Sequence, residues 1–158
     1  MDKDFKDMLC AFNAHNIRYM IVGGYAYARY TEPRTTKDLD LFVSPDPAKA
    51  ADVFRALAEF GAPLTDVTVE DLTKPSTVIQ IGVAPFRIDI LFGVSGLTFD
   101  EAWERSEPAV VDGDTPVRFI SCDDLIRNKL AAGREQDLLD VKKLRHAQDT
   151  KRRSRPKS

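Results

Sequence analysis

The sequence predicts an α+β fold, a mixed β-sheet with helices packed on it and a short C-terminal helical segment. Three observations carry this. Short apolar runs of strand length recur between longer amphipathic stretches: RYMIV, KDLDLFV, TVIQIGV and FRIDILF. The last two flank Ala84-Pro85 and read as an antiparallel hairpin, whereas the first two are joined by a helix-compatible segment. From Ser121 onward the pattern is helical.

The elements follow in order. Residues 2–15 form an amphipathic helix with Phe5, Met8, Leu9 and Phe12 on one stripe. RYMIV, residues 18–22, is a buried strand that stops at Gly23-Gly24, and YAYARY continues as a helix. Its Tyr25, Tyr27 and Tyr30 suit core and rim packing rather than base stacking, and Trp103 has no assigned role. In KDLDLFV, Leu39, Leu41 and Val43 share one face while Asp38, Asp40 and Phe42 share the other. Asp46 and Pro47 start a helix over 48–60 that ends at Gly61. After the hairpin of 77–83 and 86–92 come a short helix at DEAWERS and a last strand at PVRFI. Ser121 caps a helix to about Ala132, with Asp124 at the capping-box position. Gly133 breaks it, and a second helix covers about 135–148.

Length and composition bound the answer. At 158 residues, 43% apolar and 30% charged, the chain suits one folded domain. No apolar run approaches the roughly 18–20 residues that span a bilayer. The start, MDKDFKDML, is not a signal peptide, so a cytoplasmic location is expected. Cys10 and Cys122 lack metal-like spacing and are expected as reduced, mostly buried thiols; His15 and His146 are equally isolated. The end, KRRSRPKS, holds five basic residues and no acid, which leaves residues 1–150 at a net charge of −7. The expected organisation is therefore one domain over 1–150 and a basic, disordered tail over 151–158, with a contact to nucleic-acid phosphates as its minority role.

The acids raise the chemical question. Asp38 and Asp40 project from the same face of one strand, and Asp89 lies amid apolar residues of another. Three carboxylates on adjacent strands make an oxygen-rich site for Mg²⁺, whose charge removes their repulsion. The alternative is structural: Asp38 and Asp40 accept local hydrogen bonds and Asp89 pairs with Arg87. Gly23-Gly24, between a strand and a helix, leaves backbone N–H groups open to a phosphate. No GK[ST] or GxGxxG follows.

The coupling of Gly23-Gly24, thirteen residues, Asp38-Leu39-Asp40 and a later Asp89 resembles the nucleotidyltransferase superfamily with the polymerase-β-like fold. PRTTKDLDLFV is similar to its small prokaryotic "minimal" members, in which an Arg and a Thr precede the acids, here Arg34 and Thr36. NKLAAGREQDLLDVKKL is similar to toxin-like members related to abortive-infection systems, through Lys129, Arg134, Asp137 and Asp140. Antibiotic adenylyltransferases resemble the same glycine-to-acid stretch. The resemblance spans roughly residues 18–145.

It implies a nucleotidyltransferase-like sheet and NMP transfer from an NTP to a hydroxyl, with Mg²⁺, or Mn²⁺ in its place, as cofactor. Asp38, Asp40 and Asp89 are the implied catalytic residues and metal ligands. Gly23, Gly24, Arg34, Thr36 and Lys129 are the implied nucleotide contacts, with Arg134, Asp137 and Asp140 in support. Lys129 has the alternative of an exposed helix lysine, Arg34 that of pairing with an acid. Asp137 and Asp140 either orient Lys129 or Arg134 or meet substrate. The acceptor stays open among tRNA or other RNA, a protein and a small molecule. A protein partner of a toxin–antitoxin pair is a further implied contact, and no membrane contact is expected. The competing reading is a catalytically silent nucleotide-binding or antitoxin-like module of the same fold.

Overall fold

The computed structural model describes residues 1–83 and 85–154. The first helix, α1 (Lys3–Ala14), is capped by the Asp2 carboxylate and buries the four residues of its apolar stripe. It leads to β1 (Tyr19–Val22), buried at every residue, as befits a strand covered on both faces. Then come α2 (Gly23–Tyr30), β2 (Asp38–Val43), α3 (Ala50–Phe60), β3 (Val78–Ile81) and β4 (Arg87–Leu91). The chain continues with α4 (Phe99–Arg105), β5 (Glu107–Val111), β6 (Thr115–Phe119), α5 (Cys122–Ala132) and α6 (Glu135–Ser154).

The strands form one mixed sheet in the order β3-β4-β2-β1-β6-β5. Its two central relations place the site. β1 runs antiparallel to β2 with Val22 opposite Asp40, and β2 runs parallel to β4 with Asp40 opposite Asp89. The hairpin of β3 and β4 is antiparallel, as expected, although each strand is shorter than its apolar run. α1 packs with α3, while α2, α5 and α6 gather as a second helical group.

Several sequence expectations are corrected. The sheet has a strand, β5, that the sequence does not announce, because Pro108 and the exposed Glu107 and Val110 hide its alternation. It is an edge strand, where a proline is tolerated. α3 begins at Ala50 rather than at Asp46; the Asp46 carboxylate instead accepts from Ala48 N–H in the preceding turn. Ser121 caps α5 through the Asp124 N–H, but the Asp124 carboxylate does not complete a capping box. It is fully buried and pairs with Arg105 at 2.9 Å and Arg127 at 3.1 Å, tying α4 to α5.

Cys10 is exposed because it lies off the buried stripe of α1, and Cys122, the first residue of α5, packs only partly against the core. α6 runs to Ser154, past the expected end at 148 and into the segment expected as a disordered tail. No glycine or proline falls within it, and the basic last turn complements the helix dipole. Residues 155–158 of that tail lie outside the described residues, as does Ala84 of the hairpin turn.

Candidate active site

Sheet register brings the three sequence-predicted acids together. Asp40 and Asp89 are direct cross-strand partners, and Asp38 lies two residues from Asp40 on the same face. Arg87 sits against them. Its guanidinium donates to both Asp89 oxygens, at 2.9 and 3.2 Å, and lies 3.6 Å from Asp38. The ion pair that the structural alternative required therefore exists, but it leaves Asp40 unpaired among like charges. Burial, then the charges of Asp89 and Asp38, push the Asp40 carboxyl up to about 7 against the partial relief of Arg87.

The glycines are fitted to this face. Gly23 has φ +66°, a left-handed conformation that glycine adopts without penalty, and a Cβ there would overlap the Asp40 carboxylate. A Cβ on Gly24 would come within 2.8 Å of Thr36 Oγ1. The strand-to-helix turn thus lies directly on the acids and on the loop that precedes them. Thr36 Oγ1 donates to the Asp38 carbonyl and fixes the start of β2.

A divalent cation suits the donor chemistry here: hard carboxylate oxygens, an excess of negative charge and an adjoining backbone free of side chains. Among the described residues no three acidic, histidine or cysteine side chains stand as a ready-made metal cage. Arg87 draws Asp89 toward itself, so cation binding requires that pair to open. Asp38 and Asp40 would supply the first oxygens and Asp89 the third.

The remaining predicted residues form a second cluster. Lys129 is not an exposed helix lysine; it is buried, with Nζ donating to Asp140 at 2.9 Å and lying 3.7 Å from Asp137. Arg34, on the loop before β2, reaches Asp140 at 3.3 Å and lies over the Tyr27 ring at 3.9 Å. Arg134 pairs with Asp137 at 2.7 Å. Asp137 and Asp140 thus each pair with cations, Arg134 on the one and Lys129 with Arg34 on the other.

The Arg134 guanidinium holds the Asp137 carboxyl below its usual range. Burial pushes Asp140 up, but Lys129, Gln136 and Arg34 outweigh it and hold it low. Two members of this cluster, Tyr27 and Gln136, escape sequence reasoning. Tyr27 reads as plain core, and only the i, i+4 spacing of Gln136 to Asp140 hints at its bond of 2.9 Å.

The larger cavities among the described residues lie away from the acids. One of ≈ 600 Å³ lies at the far ends of β2 and β4, between Phe42, Phe92 and Phe99. Another, ≈ 570 Å³, runs along α6 beside Tyr30. The acids themselves stand on an accessible edge, with the Asp38 side chain 45% exposed.

Comparison with known proteins bears on the family and the fold. The family described as nucleotidyl transferase of unknown function (DUF2204) matches residues 2–155. Among solved structures, the lincomycin-bound lincosamide antibiotic adenylyltransferase LnuA has a similar fold. It is 15% identical with a TM-score of 0.57, over 93% of this chain and 98% of that one. ANT(2'')-Ia in complex with adenylyl-2''-tobramycin gives a TM-score of 0.60 at 14% identity, over 94% and 89%. An antigenic nucleotidyltransferase-like protein from Paracoccidioides brasiliensis gives 0.50 at 16%, over 89% and 74%. No curated protein matches the sequence. At these identities the structural likeness is one of fold.

Proposed function

Because the chain belongs to the DUF2204 family of nucleotidyl transferases, we propose that it moves an NMP from an NTP to a hydroxyl acceptor at the β2–β4 carboxylates, with Mg²⁺ bound there. The observation that carries this is the pairing of Asp40 with Asp89 in register, directly against Gly23, whose missing Cβ makes room for the Asp40 carboxylate. Like charges are concentrated where a phosphate-sized group can approach bare backbone.

Bound at Asp38, Asp40 and Asp89, a divalent cation supplies charge neutralisation for the attacking and leaving oxygens of an in-line displacement. The chain does the rest. The N–H groups at the start of α2 cradle the triphosphate, helped by the positive end of that helix. Thr36 and the Gly24 backbone fix the loop beside it. Asp89, once released by Arg87, accepts the acceptor's hydroxyl proton. Lys129, held by Asp140, and Arg34, held over Tyr27, set the positive potential behind the loop. Catalysis is then mainly positioning and electrostatics.

LnuA was solved with lincomycin and ANT(2'')-Ia with adenylyl-2''-tobramycin, so a small hydroxylated molecule is one acceptor class. The test is incubation with each labelled NTP, Mg²⁺ and a cell lysate. Label transfer that disappears in Asp40→Ala supports the reading; no Mg²⁺-dependent binding of any NTP refutes it.

A further inference from the structure

We propose that the C-terminal half of α6, with the groove it forms beside Tyr30, docks the phosphodiester backbone of single-stranded RNA, which makes RNA the acceptor class of the site. The docking is independent of the chemistry, and only the acceptor assignment rests on the nucleotidyl-transfer reading.

The first observation is charge segregation. Residues 1–141 hold 24 acids against 15 Lys and Arg, whereas Lys142–Ser154 holds six Lys and Arg against one acid, Asp149. The second is that most cations of the body have a carboxylate partner and those of this half-helix do not: among the described residues eleven of the fifteen in residues 1–141 are paired, all but Arg18, Lys37, Lys49 and Arg118. Among the described residues only Lys143 of those six has a carboxylate partner, Glu32, at 3.6 Å between exposed side chains. Lys142, Arg145, Lys151, Arg152 and Arg153 have none within 4.0 Å. Five unneutralised cations on one half-helix repel each other, and a polyanion relieves this by releasing its own counterions.

The third observation is shape. A groove of ≈ 570 Å³ runs between Tyr30-Thr31-Glu32 and the α6 stripe of Lys142, His146 and Thr150. Through Tyr30 and Ala147 it adjoins a second hollow of ≈ 320 Å³ that reaches Lys151 and Arg152. Tyr30 is a fixed wall, since its hydroxyl donates to the Ile120 carbonyl at 2.6 Å. The groove's other end leads toward the chemistry: Arg34, two residues past Glu32, is bound to Asp140 of α6, and Thr36 lies against Gly24.

These features select one strand of RNA over the other polyanions. A strongly acidic body repels a duplex laid broadside on it, while a strand that follows α6 meets only three of those acids, each already partnered: Glu32 with Lys143, Glu107 with the Tyr30 hydroxyl and Asp123 with Gln148. An anionic membrane is disfavoured, because the exposed large apolar residues of α6, Leu138 and Leu139, lie outside the basic half. RNA ends in a 2′,3′ diol where a single DNA strand ends in one hydroxyl, so single-stranded DNA of the same sequence is the discriminating competitor, and its equally tight binding overturns the choice of RNA.

The test is fluorescence anisotropy of the full chain in EDTA with a short, labelled oligoribonucleotide ending in a 3′ hydroxyl. The groove variant carries Lys142→Gln, Lys143→Gln, Lys151→Gln and Arg152→Gln; a charge-matched control carries Lys3→Gln, Lys49→Gln, Arg55→Gln and Lys74→Gln. We expect binding that weakens steeply between ~50 and ~200 mM salt. The groove variant should bind at least ~10-fold more weakly, with a salt slope smaller by about 2–3, and the control within about twofold of the parent.

Absence of salt-dependent RNA binding overturns the proposal. So does equal loss in both variants, or equally tight binding of duplex DNA or of phosphatidylserine vesicles. The two readings fail separately. Asp40-dependent labelling of another acceptor with no RNA docking leaves the enzyme and removes this inference. RNA docking through α6 with no acceptor ever labelled leaves the docking and removes the transfer.

Discussion

The protein holds two clusters of aspartates, and the carboxyls that shift in them move in opposite directions. On β2 and β4, Asp38, Asp40 and Asp89 face an accessible edge, yet Asp40 is driven up to about 7. On α6, Asp137 and Asp140 are 3% and 2% exposed, yet both are held below the ordinary carboxylate range. The difference lies in counter-charge: the helix cluster is met by Lys129, Arg134 and Arg34, whereas Arg87 alone faces three strand acids and pairs closely with one. The chain completes the electrostatics of one cluster and leaves the other short of positive charge, which is what the proposed cation site requires.

The largest test of that contrast is activity. Asp40→Ala should lower label transfer by on the order of 10³-fold or more while leaving the helix cluster intact. Next in size is stability. Lys129→Met removes the one buried cation between two buried carboxylates and should cost about 3 kcal/mol in urea unfolding, a large share of a domain's margin. The same cluster sets an acid limit. The folded pKa values of Asp137 and Asp140 lie below 3.8, so their contribution is complete above that value and is lost as pH falls through the depressed ones. If Lys129→Met proves neutral, the network is not a structural element.

Much of this was legible in the sequence, and the limits are physical. The two-residue period of a strand places Asp38 and Asp40 on one face without any coordinates. That Asp40 lies opposite Asp89 was not legible, because it depends on the register of a parallel pair joined by a long crossover. The burial of Lys129 was hidden for a similar reason. A lysine in NKLAAG looks like any solvent-facing lysine until the turn at Gly133 folds α6 back onto α5. Asp124 misled because a local capping motif and a long-range pair with Arg105 make the same sequence. The basic end was read as a tail since composition does not show that α6 carries it alongside Tyr30.

A smaller effect tests the strand cluster from the stability side. The folded pKa of Asp40 is raised, so the folded chain holds a proton that the unfolded chain has already released. In EDTA, stability should therefore fall as pH rises from about 4 to about 7, by about 2 kcal/mol once solvent screening at the open edge is allowed for. Asp40→Asn should flatten that profile and melt higher than the parent at pH 8. Added Mg²⁺ should reverse the order by stabilising the parent and not the variant. An unchanged profile in Asp40→Asn would mean that the acids are already satisfied within the chain.

The smallest effect concerns Arg87, the one cation the strand cluster supplies for itself. It occupies both oxygens of Asp89, the third oxygen donor, so it competes with a divalent ion for the same lone pairs. Arg87→Gln should leave the fold unchanged, since the side chain is 38% exposed and lies at the rim. It should tighten Mn²⁺ binding to the nucleotide-free protein by a small factor, read by calorimetry. Turnover should not rise in parallel, because an Asp89 that keeps its cation permanently is a poorer acceptor for the hydroxyl proton. Weaker Mn²⁺ binding in Arg87→Gln would instead make Arg87 a clamp that aims Asp89 at the metal, and the strand cluster would then resemble the helix cluster in being organised by its own cation.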